Sequence, residues 1–296
     1  MEIIRKSFIA LSMLVMTCAA AAMPKVYDIS SPEGTLSAQV SVDQGKITWS
    51  VTKEGNLVLS PSEIAMQLAD GTAYDGAVKL QKTIRSAVDN VLDAPFYKKS
   101  QVKEAYNQLQ LRFKTFDLEF RAYDAGVAYR FVSKSKVPFK VAGETARFAF
   151  PEDWMMYVPY VCQHTETLES QFYSSCENRY EHTPLSQWNK ERIAFLPIMV
   201  ETPQGYKINI MESDLLNYPG MYLYNSDADS VLEARYAPYP KDIKQGGHNS
   251  LQGVVQTRED YLAKYDGAVS FPWRIFNVST QDKEMLDNDL VWLLGK

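Results

Sequence analysis

Hydrophobic and polar residues alternate with a period of two along much of the chain. The run 36–42 alternates in this way, and the run 47–51 does so again after a glycine-containing turn at 43–45. Alternation of this kind is typical of strands with one buried face, and two such runs joined by a short turn predict a hairpin. Three further alternating runs predict a meander of antiparallel strands over 109–113, 116–120 and 127–131.

The second half of the chain also favours strands over helices. Proline and glycine separate predicted strands over 193–200, 206–211, 221–224 and 273–278. One helix is predicted over 281–294, where Met285, Leu286, Leu290 and Leu293 recur at helical spacing. Strands and helices do not alternate, which argues against a parallel sheet. The pattern predicts a mostly β protein, a large antiparallel β-sandwich with few helices.

One long segment, 151–184, breaks this rhythm. An irregular stretch of this length inside a compact domain usually carries a function, because loops on a rigid scaffold present side chains for binding. The segment is crowded with aromatic, carboxylate and imidazole side chains: Trp154, Tyr157, Tyr160, His164, Glu166, Glu169, Tyr173, Glu177, Tyr180 and His182.

The first residues are typical of a secretory leader. Arg5 and Lys6 precede an apolar run over 8–16 and a group of small residues. We therefore predict a signal peptide over 1–22, a single domain over 23–296 and export, with the periplasm as the expected location. A lipid anchor on Cys18 is the less favoured alternative, because Thr17 is a poor fit for that processing. No later run offers the ~20 apolar residues that a membrane-spanning helix needs.

The net charge argues against one class of partner, and the cysteines allow one disulfide bond. The net charge of -5 and the sequence pI near 5.4 argue against nucleic acid, which requires a clustered basic surface. Removal of the leader would leave Cys162 and Cys176. An oxidising compartment would permit a disulfide bond between them, and two free thiols are the alternative.

Several segments resemble, in order, the N-terminal module of glycoside hydrolase family 97. The segment beginning at Ser31 (Ser-Pro-Glu-Gly-Thr-Leu-Ser) is similar to the opening strand of that module. Tyr106-Asn-Gln-Leu and Phe120-Arg-Ala-Tyr-Asp-Ala-Gly-Val resemble its central hairpin. Cys176-Glu-Asn-Arg-Tyr-Glu-His-Thr-Pro-Leu-Ser, Ile210-Met-Glu-Ser-Asp-Leu-Leu-Asn-Tyr-Pro-Gly and Phe271-Pro-Trp-Arg-Ile follow in the same order. The order and spacing extend the resemblance over nearly the whole chain.

The resemblance implies a super-sandwich fold related to galactose mutarotase-like modules. In this family the module packs against a catalytic (β/α)8 barrel that hydrolyses α-glucosides or α-galactosides and whose active site contains calcium. It further implies that the catalytic acid and its partner carboxylate lie on the barrel, which would begin where this chain ends. An α-linked oligosaccharide and a barrel, in cis or in trans, are the expected partners.

The resemblance also assigns candidate site residues. Glu177 matches the position from which the module supplies one ligand to the calcium ion, although Cys176 stands where the family has tyrosine. Calcium takes six to eight oxygen ligands, so the remaining ones are expected from the barrel. Glu212, Tyr180 and Arg274 are further candidates for substrate binding, with a structural turn, core packing and a buried ion pair as their respective alternatives.

Three functions remain open at this level. The first is an accessory module that completes the active site of a barrel and has no hydrolase activity by itself. The second is a stand-alone sugar-binding protein that uses the aromatic segment. The third is an autonomous glycosidase whose two carboxylates both come from this chain, for example Glu166 and Glu177. Their separation would have to be roughly 5 to 5.5 Å for retention or about 6.5 to 9.5 Å for inversion. No Ser-His-Asp order, phosphate-binding glycine loop or Cys-x-x-Cys pair suggests another chemistry.

Overall fold

Antiparallel strands dominate the chain, as the alternating pattern predicts. The computed structural model describes residues 24–161, 167–173, 176–225 and 230–295. The strands of the N-terminal half are β1 (Lys25–Ser30), β2 (Leu36–Asp43), β3 (Lys46–Lys53), β4 (Asn56–Leu68), β5 (Ala73–Tyr74), β6 (Leu80–Asp93), β7 (Gln101–Phe113), β8 (Phe116–Tyr123), β9 (Gly126–Ser133) and β10 (Phe139–Ala149).

The second half contains shorter strands and the helices. Its strands are β11 (Met155–Val158), β12 (Glu181–Pro184), β13 (Ile198–Glu201), β14 (Lys207–Ser213), β15 (Tyr222–Tyr224), β16 (Val231–Arg235), β17 (Pro240–Gly246), β18 (Gln252–Arg258), β19 (Ala263–Tyr265), β20 (Val269–Ser270) and β21 (Trp273–Ser279). The helices are α1 (Leu168–Gln171), α2 (Asp282–Leu286) and α3 (Leu290–Leu293), with 3-10 turns at Leu185–Gln187 and His248–Ser250.

The described strands form two large sheets and one separate ribbon. Sheet one has the order β1-β2-β3-β4-β10-β16-β15, with β5 beside β4 and β19 beside β10. Sheet two has the order β12-β11-β13-β14-β21-β9-β8-β7-β6, with β20 beside β9. Strands β17 and β18 pair with each other to form a two-stranded hairpin, which we call the arm. This arrangement is the large antiparallel sandwich that the sequence predicts.

The core lies between the two sheets and is rich in aromatic rings. Trp49 of β3 contacts Phe148 of the same sheet at a centroid distance of 6.4 Å. Across the interface it contacts Phe120, Tyr129 and Phe276 of sheet two at 5.9, 5.4 and 5.9 Å. Edge-to-face and tilted contacts of this kind add to the hydrophobic stabilisation from burial alone. Trp49 therefore joins the two sheets at the centre of the sandwich.

The outer face of sheet two has a core of its own beneath α3. Alternation along β21 directs Phe276 toward the main core and Trp273 and Ile275 toward the outer face. There they pack with Leu290 and Leu294 from the C-terminal segment. The guanidinium of Arg130 lies 4.4 Å from the Trp273 ring centroid, a cation–π contact.

Three sequence predictions differ from the structure in detail. The segment 151–184, predicted to be irregular, contains β11 and β12, which pair with each other in sheet two. The single helix predicted over 281–294 is divided into α2 and α3. The ammonium of Lys98 binds the carbonyl oxygens of Leu286 and Asn288, each at 2.8 Å, at the point where the helix is interrupted. The strand predicted over 193–200 begins only at Ile198, because Pro197 has no N–H to donate to a neighbouring strand.

Among the described residues, none of the helices is both long and apolar enough to span a membrane. The predicted leader over 1–22 and Cys18 lie outside the described residues. Export and its periplasmic destination therefore stay predictions.

Candidate functional site

The segment between α1 and β12 carries the first two candidate residues. Glu177 and Tyr180 are both exposed, Tyr180 to 46%. The backbone between them is anchored, because Nδ2 of Asn178 donates to the carbonyl oxygen of Tyr160 at 2.7 Å. We call residues 176–180 the Glu177 loop. It presents a carboxylate and an aromatic ring to the solvent on a tethered backbone.

The aromatic side chains next to the loop combine packing with polar contacts. The hydroxyl of Tyr180 donates to the carbonyl oxygen of Pro197 at 3.3 Å, and partial burial raises the pKa of this tyrosine. His182 stacks on Tyr157 with ring centroids 4.1 Å apart, and its Nε2 lies 3.2 Å from Oε2 of Glu201. These contacts account for His182 as a polar packing residue, whereas the Tyr180 ring remains accessible.

Three residues that the sequence singles out lie outside the described residues. They are Cys162, His164 and Glu166. Cys176 is described and is exposed. The disulfide bond between Cys162 and Cys176 and the carboxylate pair of Glu166 and Glu177 therefore stay predictions.

Helix α1 precedes the Glu177 loop and is fastened to the sandwich by a buried amide. The side chain of Gln171 donates to the carbonyl oxygen of Glu191 at 2.8 Å and accepts from the backbone N–H of Ile193 at 2.9 Å. The ring of the next residue, Phe172, packs on Tyr222 at 5.3 Å. Both contacts fix the inner side of α1 against the body of the protein.

The outer side of α1 is fastened to the arm. Nε of Arg258 in β18 donates to both carboxylate oxygens of Glu169 at 2.7 Å, and its Nη1 donates to the carbonyl oxygen of Pro238 at 2.7 Å. The hydroxyl of Tyr173 donates to the carbonyl oxygen of Val255 in the same strand. The arm therefore braces the helix that leads into the Glu177 loop.

The other two candidates, Glu212 and Arg274, lie together inside the sandwich. Arg274 occupies an inward position of β21 and its side chain is only 1% exposed. It donates through Nε and Nη2 to both oxygens of Glu144 at 2.8 and 2.7 Å, and through Nη1 to Glu212 at 2.6 Å. Glu212 also accepts from the backbone N–H of Met221. This is the buried ion pair that the sequence left as an alternative; substrate contact by either residue stays a prediction.

The surroundings of the ion pair are aromatic. The rings of Tyr218 and Tyr236 lie 5.7 and 5.3 Å from the guanidinium of Arg274. Burial raises the pKa of both tyrosines well above the ordinary value, so both hydroxyls remain protonated at neutral pH. Burial also raises the pKa of Glu212, although Arg274 opposes this effect.

Sequence reasoning missed Glu144, the bidentate partner of Arg274. It lies within β10 on the same face as Ala146, which is buried in the core, so the period of two along this strand is the signal that could have found it. A buried guanidinium such as that of Arg274 requires a carboxylate nearby. The sequence does not say which strand supplies that carboxylate.

Comparison with known families identifies the chain. Residues 29–296 match the model of the glycosyl-hydrolase 97 N-terminal family. The chain belongs to this family. A retaining alpha-galactosidase from Bacteroides thetaiotaomicron is 44% identical over 273 residues, which are 92% of this chain and 41% of the relative.

A more distant relative of this glycosyl-hydrolase 97 N-terminal domain is a probable retaining alpha-galactosidase from Streptomyces bingchenggensis. It is 25% identical over 289 residues, 94% of this chain and 40% of the relative. The domain therefore spans about two fifths of the length of the curated relatives it matches.

Solved structures match the fold of the domain. A glycoside hydrolase family 97 enzyme from Pseudoalteromonas sp., in complex with acarbose, matches with a TM-score of 0.73 at 18% identity over 91% of this chain and 38% of that chain. A beta-arabinopyranosidase matches with a TM-score of 0.68 at 19% identity over 86% of this chain and 40% of that chain. At these identities the likeness concerns the fold.

The residues of the domain can be tested for their fit to a calcium ion. Calcium takes six to eight oxygen ligands, supplied mainly by carboxylates, carbonyl groups and water. Among the described residues, no group of three or more His, Cys, Asp or Glu side chains is arranged to hold a metal. Glu177 is exposed and can offer one carboxylate. A calcium ion at Glu177 would therefore need further oxygen ligands from groups other than this carboxylate.

Proposed function

We propose that this chain is the carbohydrate-binding N-terminal module of an exported, calcium-dependent α-glycosidase, whose active site it completes together with a (β/α)8 barrel in cis or in trans. The observation that carries the proposal is the 44% identity to a retaining alpha-galactosidase over 92% of the chain. The proposed substrate is an α-linked oligosaccharide.

The Glu177 loop is the part of the module that would meet the substrate. Glu177 would hold calcium through its carboxylate, and a bound calcium ion would supply positive charge that orients sugar hydroxyls. The exposed ring of Tyr180 would stack on a sugar face, while Asn178 keeps both residues on an anchored backbone. The module would bind and orient the substrate and leave bond cleavage to the barrel.

Hydrolysis needs more than this loop offers. A retaining glycosidase places a general acid and a nucleophilic carboxylate about 5 to 5.5 Å apart, one on each side of the scissile bond. We therefore expect no turnover of chromogenic α-galactoside or α-glucoside by the chain alone, with or without calcium. Calcium-dependent turnover that disappears in Glu177→Gln would overturn the proposal in favour of an autonomous enzyme.

Calcium binding provides a second readout. Titration of the chain should give a weak affinity, about millimolar as in low-affinity extracellular sites, and Glu177→Gln should weaken it further. Glu152→Gln removes the same charge from another exposed glutamate and should leave the affinity unchanged. In a barrel-containing relative, the matching Glu→Gln change should lower both the rate and the calcium dependence; an unaffected relative would show that a different glutamate is the ligand.

A further inference from the structure

A cavity of about 810 Å³ with a mixed polar and apolar lining lies at one end of the sandwich. We call it the end cavity. The turns β1–β2, β3–β4 and β8–β9 and the segment from α2 to α3 surround it. Its volume falls within the range of small-molecule sites in proteins, about 300 to 1,000 Å³.

The end cavity and the Glu177 loop lie at opposite ends of the strands of sheet two. Ser279 lines the cavity and pairs with Lys207 of β14. Lys207 pairs with Glu201 of β13, which in turn pairs with Met155, the first residue of β11. The Glu177 loop enters β12 at Glu181, which pairs with Val158, the last residue of β11. The cavity is therefore a separate site from the proposed active-site loop.

The cavity contains a nearly buried cation with unused donors. Lys53 is 5% exposed, and its ammonium donates to Oγ1 of Thr35 at 2.9 Å and lies 3.8 Å from a carboxylate oxygen of Glu54. An ammonium carries three N–H donors. Among the described residues, one short hydrogen bond and one longer ion contact leave donor capacity for a ligand.

A second buried polar group lining the cavity is the hydroxyl of Tyr123. This residue is 4% exposed, and its hydroxyl makes no hydrogen bond of acceptable geometry to any described residue, although the Arg121 guanidinium is close by. Burial raises the pKa of Tyr123 to about 12, so the hydroxyl keeps its proton at neutral pH. A buried, unpaired hydroxyl is unfavourable and calls for a hydrogen-bonding ligand or an ordered water.

Acceptors and donors of both charges line the rest of the cavity. Burial opposes the ionisation of Glu284, but hydrogen bonds from Thr280 outweigh it and hold the pKa of this carboxyl below its usual value. The lining contains three lysines and six acidic residues: Lys53, Lys103, Lys283, Glu33, Glu54, Asp124, Glu284, Asp287 and Asp289. An anion would meet several carboxylates and a cation would meet the lysines, whereas a neutral ligand with many hydroxyls can pair with both.

We propose that the end cavity binds a neutral saccharide, with the Tyr123 hydroxyl and the Lys53 ammonium as its buried hydrogen-bond donors. The site would hold sugar away from the Glu177 loop and independently of calcium. It extends the proposed function, since substrate would be retained at a second position on the module.

The test is binding of methyl α-D-galactopyranoside and methyl α-D-glucopyranoside to the chain in the presence of EDTA, measured by calorimetric titration up to the millimolar range. Tyr123→Phe removes only the unpaired hydroxyl, so the free energy of unfolding should stay equal or rise. Sugar affinity should fall about tenfold, the factor that corresponds to one hydrogen bond. Lys53→Met should also weaken binding.

Two variants distinguish sugar bound in the end cavity from sugar bound elsewhere on the module. Tyr236→Phe removes another buried hydroxyl without a partner among the described residues, outside the cavity lining, and should leave affinity unchanged. Glu152→Gln changes an exposed glutamate outside the cavity lining and should bind sugar as the wild type does. Unchanged binding in both Tyr123→Phe and Lys53→Met, or no binding by the wild type, would overturn the proposal, whereas the calcium and turnover assays judge the Glu177 loop separately.

Discussion

Glu212 is a carboxylate held in a largely buried position by two donors. It accepts from Arg274 at 2.6 Å and from the backbone N–H of Met221 at 3.0 Å. With Glu144 on the other side of Arg274, two carboxylates share one guanidinium. Burial raises the pKa of Glu212 even though Arg274 opposes the shift. The protonation of this residue should therefore be visible in the stability of the protein.

Glu212→Gln should remove one component of the pH dependence of stability. An acid whose pKa is higher in the folded than in the unfolded protein binds its proton more tightly when folded, so the free energy of unfolding falls as pH rises between the two values. This decrease begins near pH 4.5, the ordinary pKa of glutamate, and ends near the raised pKa of the folded protein. Over this pH range, urea unfolding should show the free energy of unfolding of the variant rising relative to that of the wild type.

The control for this experiment is a surface substitution. Glu152→Gln makes the same chemical change at an exposed side chain, and its effect on stability should be small at every pH. A difference between Glu212→Gln and wild type that stays constant with pH, or a variant that loses stability relative to the wild type as pH rises, would contradict the assignment.

Some contacts of single residues cannot be predicted from the sequence. Arg274 is named by a motif, but its inward direction does not follow from the local pattern, because apolar residues lie on both faces of β21. Its partner Glu144 belongs to the other sheet, so the contact depends on how the sheets face each other. In the sequence, Tyr123 resembles any other hydrophobic residue of a strand. Its buried hydroxyl without a hydrogen-bond partner becomes visible only in the folded structure.

Among the elements, α1 depends on contacts from outside its own four residues. A helix this short has little stability by itself. Gln171 ties it to the body of the sandwich, and Arg258 ties it to the arm through Glu169. The Glu177 loop follows directly, so the arm should influence how well the loop is ordered.

Arg258→Met should loosen α1 without unfolding the sandwich. The variant loses the paired hydrogen bonds to Glu169, and we expect the free energy of unfolding to fall by about 1 kcal/mol, as for a partly exposed ion pair. Hydrogen–deuterium exchange should become faster over 167–173 and remain unchanged in β21. Arg235→Met removes a half-exposed arginine that pairs with Glu233 and should not alter exchange in α1. Equal exchange in α1 of both variants would contradict the bracing role.

The elements that the sequence predicts best are those with one buried face. The hairpin of β2 and β3 and the meander of β7, β8 and β9 follow from alternation alone. Strand β6 escapes prediction, because its side chains are exposed or only partly buried and give no alternating signal. The break between α2 and α3 is not predicted either, because the carbonyl groups at the break bind Lys98, which lies far away in the sequence in the β6–β7 turn.

For the whole molecule, Trp49 is the side chain that most directly joins the two sheets. Trp49→Ala should lower the free energy of unfolding by about 3–5 kcal/mol, since the cavity would remove contacts to rings in both sheets. Far-ultraviolet circular dichroism during urea unfolding measures the change. Trp292→Ala, at a partly buried ring that stacks on Tyr97, should have a smaller effect. A larger loss at Trp292 would place the main stabilising contact outside the sandwich.

The exposed strand β6 bears on how the molecule behaves in crowded solution. It is the last strand in the order of sheet two among the described residues, so one row of its N–H and C=O groups faces outward and offers a template for pairing with other chains. Lys82, Arg85, Asp89 and Asp93 place charges of both signs along this strand. Chains that approach edge to edge must bury these charges, which deters intermolecular pairing. Charged side chains on β6 thus act as gatekeepers that protect the protein against aggregation.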